Sequence, residues 1–370
     1  MAGERTFLIA LTMLQGVGDM LARALLQYFG TAEEVFNAHR RVLEKIPGIG
    51  EYTAGRIDQG KNEALKRAEK EIGFIEKNRI RMYAITENDY PKRLRECQDA
   101  PVIFYYKGRG DLSAKKIISI VGTRRATDYG RMLTEKLVRE LAETYPNLLI
   151  VSGLAYGIDV SSHRAALKHG LPTVGVLAHG LDRIYPAAHR NTAVEMLERG
   201  GWLTDFPSET NPDRENFLKR NRLIAGLSDA TVVVESAERG GALVTADIAF
   251  SYGREVYTFP GRTIDECSAG CNRMIQTNKA GLITSGHDLI RALCWDAGDT
   301  RPSVGEQLVL KLEKSDHPLV NILAERGQMQ INDLAIVSDL PVHKVTSMLF
   351  ELELAGHVMA LPGGMYKLTD

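Results

Sequence analysis

Arg124 and Arg125 stand directly behind a run of β-branched residues in the stretch "ISIVGTRRATDYG", Ile118 to Gly130. The run reads as a buried strand, and Gly122 as the turn that ends it. A dinucleotide-binding turn would continue with two more glycines, so that the backbone could approach a pyrophosphate closely. Here Thr123, Arg124 and Arg125 follow instead. Turn amides and a hydroxyl can still hold phosphate, and the guanidinium groups add fixed charge and bidentate hydrogen bonds. The ligand expected is anionic and not a dinucleotide.

A second cluster lies in "SETNPDRENFLKRNRLIAGLSDA". Asn211 is placed to cap a helix with Pro212 at its first position. On that helix Arg214, Phe217 and Asn221 recur at spacings of three and four and share a stripe, with Arg220 adjoining, while Leu218, Ile224 and Ala225 can face a core. Lys219 and Arg222 complete the basic run "KRNR". Cations that track a backbone and a ring on which a base can stack are the parts of a groove for unpaired nucleic acid. Phe217 as an ordinary core residue is the alternative.

Two further stretches belong to the same chemistry. "SGLAYGIDVSSHRAALKHG" runs from Ser152 and Gly153 into a helix with Asp159, His163 and Arg164. Asp159 and His163 are four apart and face the same way, either as a metal or acid–base pair or as hydrogen-bonding partners that orient a loop. "VVVESAERGGALVTADIAFSYG" places Ser236, Gly240 and Gly241 after a buried strand as a phosphate cradle, and Asn272 and Arg273 sit in a polar loop of similar type. No G-x-S-x-G nucleophile elbow is present, so serine hydrolysis is not expected. Cys267 and Cys271 lack a second pair at metal-ligand spacing, and neither a metal nor a cofactor is expected.

The elements that must position these residues follow from the pattern. Short apolar runs at "RMYAIT", "PVIFYY", "IISIV", "LLIVSG", "TVGVL", "WLTDF", "TVVVE", "EVYTF" and "GLITS" alternate mostly with amphipathic helices. This predicts an α/β domain with an open, mostly parallel sheet and helices on both faces, over residues 73–298. Ligands of such sheets sit beyond the carboxyl ends of the strands. Ahead of it, residues 1–72 hold two glycine turns, Gly16 to Gly18 and Gly48 to Gly50, each opening a helix. They suit either helix-hairpin-helix contacts to phosphate or plain tight turns in a helical bundle.

Behind it, residues 303–370 read as three helices and a two-stranded wing turning at Gly363–Gly364, a winged helix. Charge separates the three parts. Residues 1–72 carry ten acidic and ten basic groups, 73–302 carry 28 and 31, and 303–370 carry nine and five. An acidic winged helix is poorly suited to a duplex and better suited to a protein partner. Four cysteines in 370 residues, with no apolar stretch long enough to span a bilayer, indicate a cytoplasmic protein without a membrane span.

The motifs "GTRRAT", "SGLAYGIDVSSHRAAL", "GVLAHGLDRIYPAAHR", "FLKRNRLIAGLSDATVVVESAERGGALVTADIAFSYGREV" and "GCNRMIQTNKA", in this order, resemble the bacterial DNA-processing DprA (Smf) family. The resemblance covers the whole middle domain. It implies an extended Rossmann-like fold flanked by a SAM-like or helix-hairpin-helix domain and a winged helix. It further implies non-catalytic binding of single-stranded DNA, a homodimer, and loading of the recombinase RecA during natural transformation. Carried onto this chain, the family's DNA pocket would include Arg124 with Arg214, Phe217, Arg220 and Asn221. The fold also resembles phosphoribohydrolases of the lysine-decarboxylase-like group, in which Asp247 would stand near the place of a catalytic glutamate.

Overall fold

All nine apolar runs of the middle domain are strands of one sheet. The computed structural model describes residues 3–296, 317–361 and 365–369, and the chain divides into two units, residues 1–296 and 297–370. The first unit opens with five helices: α1 (Glu4–Met13), α2 (Asp19–Phe29), α3 (Ala32–Asn37), α4 (Arg40–Leu43) and α5 (Glu51–Lys77). Both glycine turns are built alike. Gly16 and Gly48 have φ of 84° and 86°, which a glycine adopts without steric cost, and Gly18 and Gly50 are extended N-caps of α2 and α5. The expected boundary at 72/73 falls inside the unbroken α5. The helices share a core with the sheet, since Leu8, Leu25 and Ile57 belong to one apolar cluster with Met82, Ile103 and Tyr105.

The sheet region follows in chain order as β1 (Arg81–Ala84), α6 (Lys92–Arg95), β2 (Ile103–Gly108), β3 (Ile117–Val121), α7 (Asp128–Thr144), β4 (Leu149–Ser152), α8 (Ile158–Lys168), β5 (Thr173–Val176) and α9 (Arg190–Met196). It continues with β6 (Gly201–Thr204), α10 (Arg214–Leu227), β7 (Ala230–Val233), α11 (Gly241–Ser251), β8 (Glu255–Thr258), α12 (Ala269–Gln276), β9 (Gly281–Leu282) and α13 (Gly286–Ala292). The strand order is β1-β2-β6-β5-β4-β3-β7-β8-β9. From β6 across to β9 every neighbouring pair is parallel, and β1 and β2 add antiparallel at one edge.

Alternation along the strands divides the core. In β3, Ile118 and Ile120 pack with α7, α8 and α13, whereas Ile117 and Val121 pack with α10, α11 and α12. From β3 the chain winds outward one way through β4, β5 and β6, then returns to β7 on the other side and winds the opposite way. The β3/β7 boundary is therefore the switch point of a doubly wound sheet, where the loops diverge and leave a crevice.

The second unit contains α14 (Pro318–Arg326), β10 (Met329–Gln330), α15 (Ile331–Ser338), α16 (Val342–Leu354), β11 (Val358–Leu361) and β12 (Met365–Leu368). Its antiparallel sheet has the order β10-β12-β11, which gives a winged helix. The strand β10 was not expected, because two residues carry no readable period. The wing turn at Gly363–Gly364 and the boundary between 298 and 303 lie outside the described residues.

Candidate nucleic-acid interface

The crevice at the β3/β7 switch point is a cleft of about 650 Å³. Gly122, Thr123 and Arg124 enter it from the end of β3, Asp159 from α8, Arg214, Phe217, Arg220 and Asn221 from α10, and Ser236, Arg239, Gly240 and Gly241 from the segment after β7. The turn after β3 is fixed by Thr123, whose backbone N–H donates to the Glu235 carbonyl at 2.7 Å. It can lie on α8 because Gly157 has φ 77° and a Cβ there would stand 2.1 Å from the Thr123 carbonyl oxygen.

Phe217 is half-buried and has two guanidinium groups near its ring. The guanidinium carbon of Arg124 lies 4.9 Å from the ring centroid, and that of Arg220 lies 5.7 Å away. Arg220 is buried at 3 % exposure, and its Nη1 donates to the Val176 carbonyl. Burial pulls its guanidinium down to about 10, against the opposing pull of Asp159, so it stays cationic at neutral pH. Burial likewise raises the Asp159 carboxyl above its ordinary range, offset by Arg220, Arg124 and backbone amides. Arg124, Arg214 and Arg239 are exposed, and among the described residues none of the three makes an ion pair. Guanidinium groups without a carboxylate partner among the described residues thus stand at the rim of the cleft beside a half-exposed ring.

The helix that carries Phe217 is held from behind. Glu71 on α5 accepts from the Ser208 backbone N–H and hydroxyl, and Arg67 donates to the Ser208 carbonyl. Arg222 on α10 pairs with Asp205 and, at 2.9 Å, with Asp19 at the start of α2. The first glycine turn thus stands against the sheet domain, with Val17 and Gly18 lining an interdomain cavity alongside Leu218 and Lys219.

Several sequence expectations change. The helix starts at Arg214 with Asp213 as N-cap, because the Asn211 amide oxygen accepts from Arg183 and Asn211 lies outside the helix. Leu218 is 46 % exposed instead of facing the core. Lys219 and Arg222 lie on the far side of α10 from the cleft. Ser152 is fully buried and donates to the Ile120 carbonyl, and Gly153 sits beneath Arg220 without lining the cleft. Arg164 is exposed and reaches Thr192 outside the cleft. Arg125 is exposed beside the turn and does not line the cleft either.

Asn272 spends its amide on the backbone N–H and carbonyl of Gly261, and with Arg273 it belongs to α12 instead of a loop. His163 bonds Thr173 at 2.7 Å, not Asp159, which removes the acid–base or metal pair. Cys267 and Cys271 are free thiols, and no metal-ligating cluster occurs among the described residues. No helix among them is long and apolar enough to cross a membrane. One aromatic and one charged lining residue escaped the sequence reading, Tyr185 and Arg239. An aromatic in the polar loop "LDRIYPAAHR" after a strand was the available signal for the first, and Arg239 sits beside the glycines already singled out.

Comparison with known proteins agrees with this architecture. Residues 81–294 match the family model described as DNA recombination-mediator protein A, residues 8–57 the SAM-like helix-hairpin-helix tandem, and residues 310–364 the DprA winged helix domain. The Synechocystis sp. protein Smf is 30 % identical over 98 % of this chain and 98 % of its own length. The Bacillus subtilis DNA processing protein DprA is 36 % identical over 75 % of this chain and 92 % of its own. Among solved structures, DprA from Streptococcus pneumoniae is 30 % identical with a TM-score of 0.65, covering 77 % of this chain and 97 % of that one. DprA from Helicobacter pylori, described by its single-stranded DNA binding mode, is 29 % identical with a TM-score of 0.53, covering 59 % and 96 %. A family model spanning more than half of the sequence and a full-length relative at that identity lead to one conclusion: the chain belongs to the DprA (Smf) family of DNA-processing proteins.

Proposed function

We infer that the cleft at the β3/β7 switch point binds single-stranded DNA without chemistry, and that the protein, as a homodimer, delivers the strand to the recombinase RecA in recombination and transformation. The observation that carries this reading is the Phe217 ring, accessible in the cleft with Arg124 at 4.9 Å and Arg220 at 5.7 Å. A ring accepts any base face, and guanidiniums accept phosphates, so the site suits an unpaired strand of any sequence. Paired bases have no free face to offer. The Helicobacter pylori relative, described by such binding, supports the assignment.

The acidic winged helix is assigned to a protein partner instead of DNA. On α16, the helix that enters a groove in duplex-binding modules, Phe350 and Leu354 are 61 % and 75 % exposed and lie among Glu351 and Glu353. Against the nucleotide-hydrolase alternative, Asp247 is paired with Lys279 and does not line the cleft.

The test is a salt-titrated comparison of oligo-dT with duplex DNA, together with nucleotide release from AMP. Tight, salt-sensitive preference for the single strand with no turnover is expected. Equal affinity for duplex, or release of the base, would overturn the reading.

A further inference from the structure

We propose that Tyr185 is a second base platform, so that the cleft seats two consecutive bases on two separate rings. This rests on the single-strand reading above and extends it to a residue that the sequence reading did not single out for binding.

Tyr185 lies in the loop after β5 and lines the cleft. Its ring centroid is 6.0 Å from that of Phe217, at an interplanar angle of 57°. Tyr185 is 46 % exposed and, unlike the similarly exposed Tyr129 and Tyr156, it lines the cleft. Its hydroxyl has no hydrogen-bond partner among the described residues, so neither the polar tip nor the open face of this side chain is consumed by the fold. A buried tyrosine normally finds a hydrogen-bond partner for its hydroxyl.

The loop that presents it is tied down. Arg183 donates to the Asn211 amide oxygen at 2.8 Å, and the Asp182 carboxylate accepts from the Glu209 backbone N–H at 2.9 Å. Both bonds anchor the loop to the segment leading into α10, which carries Phe217. The two rings are therefore held relative to each other before any ligand arrives, which lowers the ordering cost of binding.

The angle decides the mode. One base sandwiched between two rings needs the rings parallel, and a tilt of 57° forbids that. Each ring can instead take its own base, provided the strand turns between them. A single strand can make that turn. Consecutive bases of a duplex stay parallel in their stack, so the same geometry rejects paired DNA.

The experiment is fluorescence-anisotropy binding of labelled oligo-dT to the full chain and to Tyr185→Ala, Tyr185→Phe and Phe217→Ala, with thermal melts on each. Stacking is worth on the order of 1–3 kcal/mol per base, or roughly 5- to 150-fold in affinity. Tyr185→Ala is expected to weaken binding within that range, and Tyr185→Phe to bind like the parent, with melting temperatures close to the parent's. Loss in Phe217→Ala but parental affinity in Tyr185→Ala would overturn the second platform and leave the single-strand reading standing. Equal loss in Tyr185→Phe and Tyr185→Ala would also overturn it, by pointing to the hydroxyl. Parental affinity in Phe217→Ala as well would sink the underlying reading itself.

Discussion

The guanidinium of Arg124, from the turn after β3, lies 4.9 Å from the ring centroid of Phe217 on α10. The contact exists because β3 and β7 are neighbours at the switch point, and α10 is the crossover that returns the chain to β7. In the single-strand reading proposed above, it joins a cation for the backbone to a face for a base.

Phe217→Ala removes the face and keeps the charge. It should weaken oligo-dT binding by about 1–3 kcal/mol with little change in salt dependence. If Arg124 holds a phosphate, as the single-strand reading has it, Arg124→Ala should lower the slope of log affinity against log salt by about 0.7. Anisotropy titrations at several salt concentrations separate the two effects, and identical salt slopes in parent and Arg124→Ala would take Arg124 off the phosphate track.

Gly153 shapes the site from below. A Cβ at this position would stand 2.1 Å from Arg220 Nη1 and 2.6 Å from Asp159 Oδ2. Gly153→Ala should therefore push the Arg220 guanidinium out of its place and weaken single-strand binding at least as far as Arg220→Ala does. A Gly153→Ala protein that binds normally would show that the place of Arg220 is immaterial.

Arg222 separates stability from binding. Its side chain is 12 % exposed and meets Asp205 and Asp19, of which Asp205 is 10 % exposed. Arg222→Ala leaves those carboxylates without their cation and should cost about 3 kcal/mol or more, read by chemical denaturation. Oligonucleotide affinity well below the melting temperature should stay within about twofold, because truncating a side chain that touches DNA would shift it by far more. Weakened binding at unchanged stability would return Arg222 to the DNA site.

His163 makes stability depend on pH. It is fully buried, bonds Thr173, and burial holds its imidazole down to about 3, with His189 and Arg220 adding to the effect. The unfolded chain takes up a proton near the ordinary value of about 6.5, while the folded chain stays neutral. Stability from this group is therefore fully present above pH 6.5 and is lost as pH falls from there toward about 3, at up to about 1.4 kcal/mol per pH unit. Denaturation curves of the parent and His163→Gln between pH 4 and 7 should differ in slope in that sense, and parallel curves would refute it.

The sequence by itself determined the nine strands, the mostly parallel character of their sheet and the stripe of Arg214, Phe217 and Asn221. Apolar runs and three-to-four spacing are local properties, and a strand or helix obeys them wherever it packs. Only the tertiary structure decided which face of α10 meets what. Arg220 and Arg222 are alike in type and two positions apart, yet the step of about 100° per residue turns one under the cleft and the other into the carboxylates of Asp19 and Asp205. The helical domain behind α10, supplied by residues far back in the chain, makes that distinction. The same holds for Tyr185, whose loop reaches the cleft through bonds to Asn211 and Glu209. Long-range partners are chosen by packing and by charge burial, and no local pattern records them.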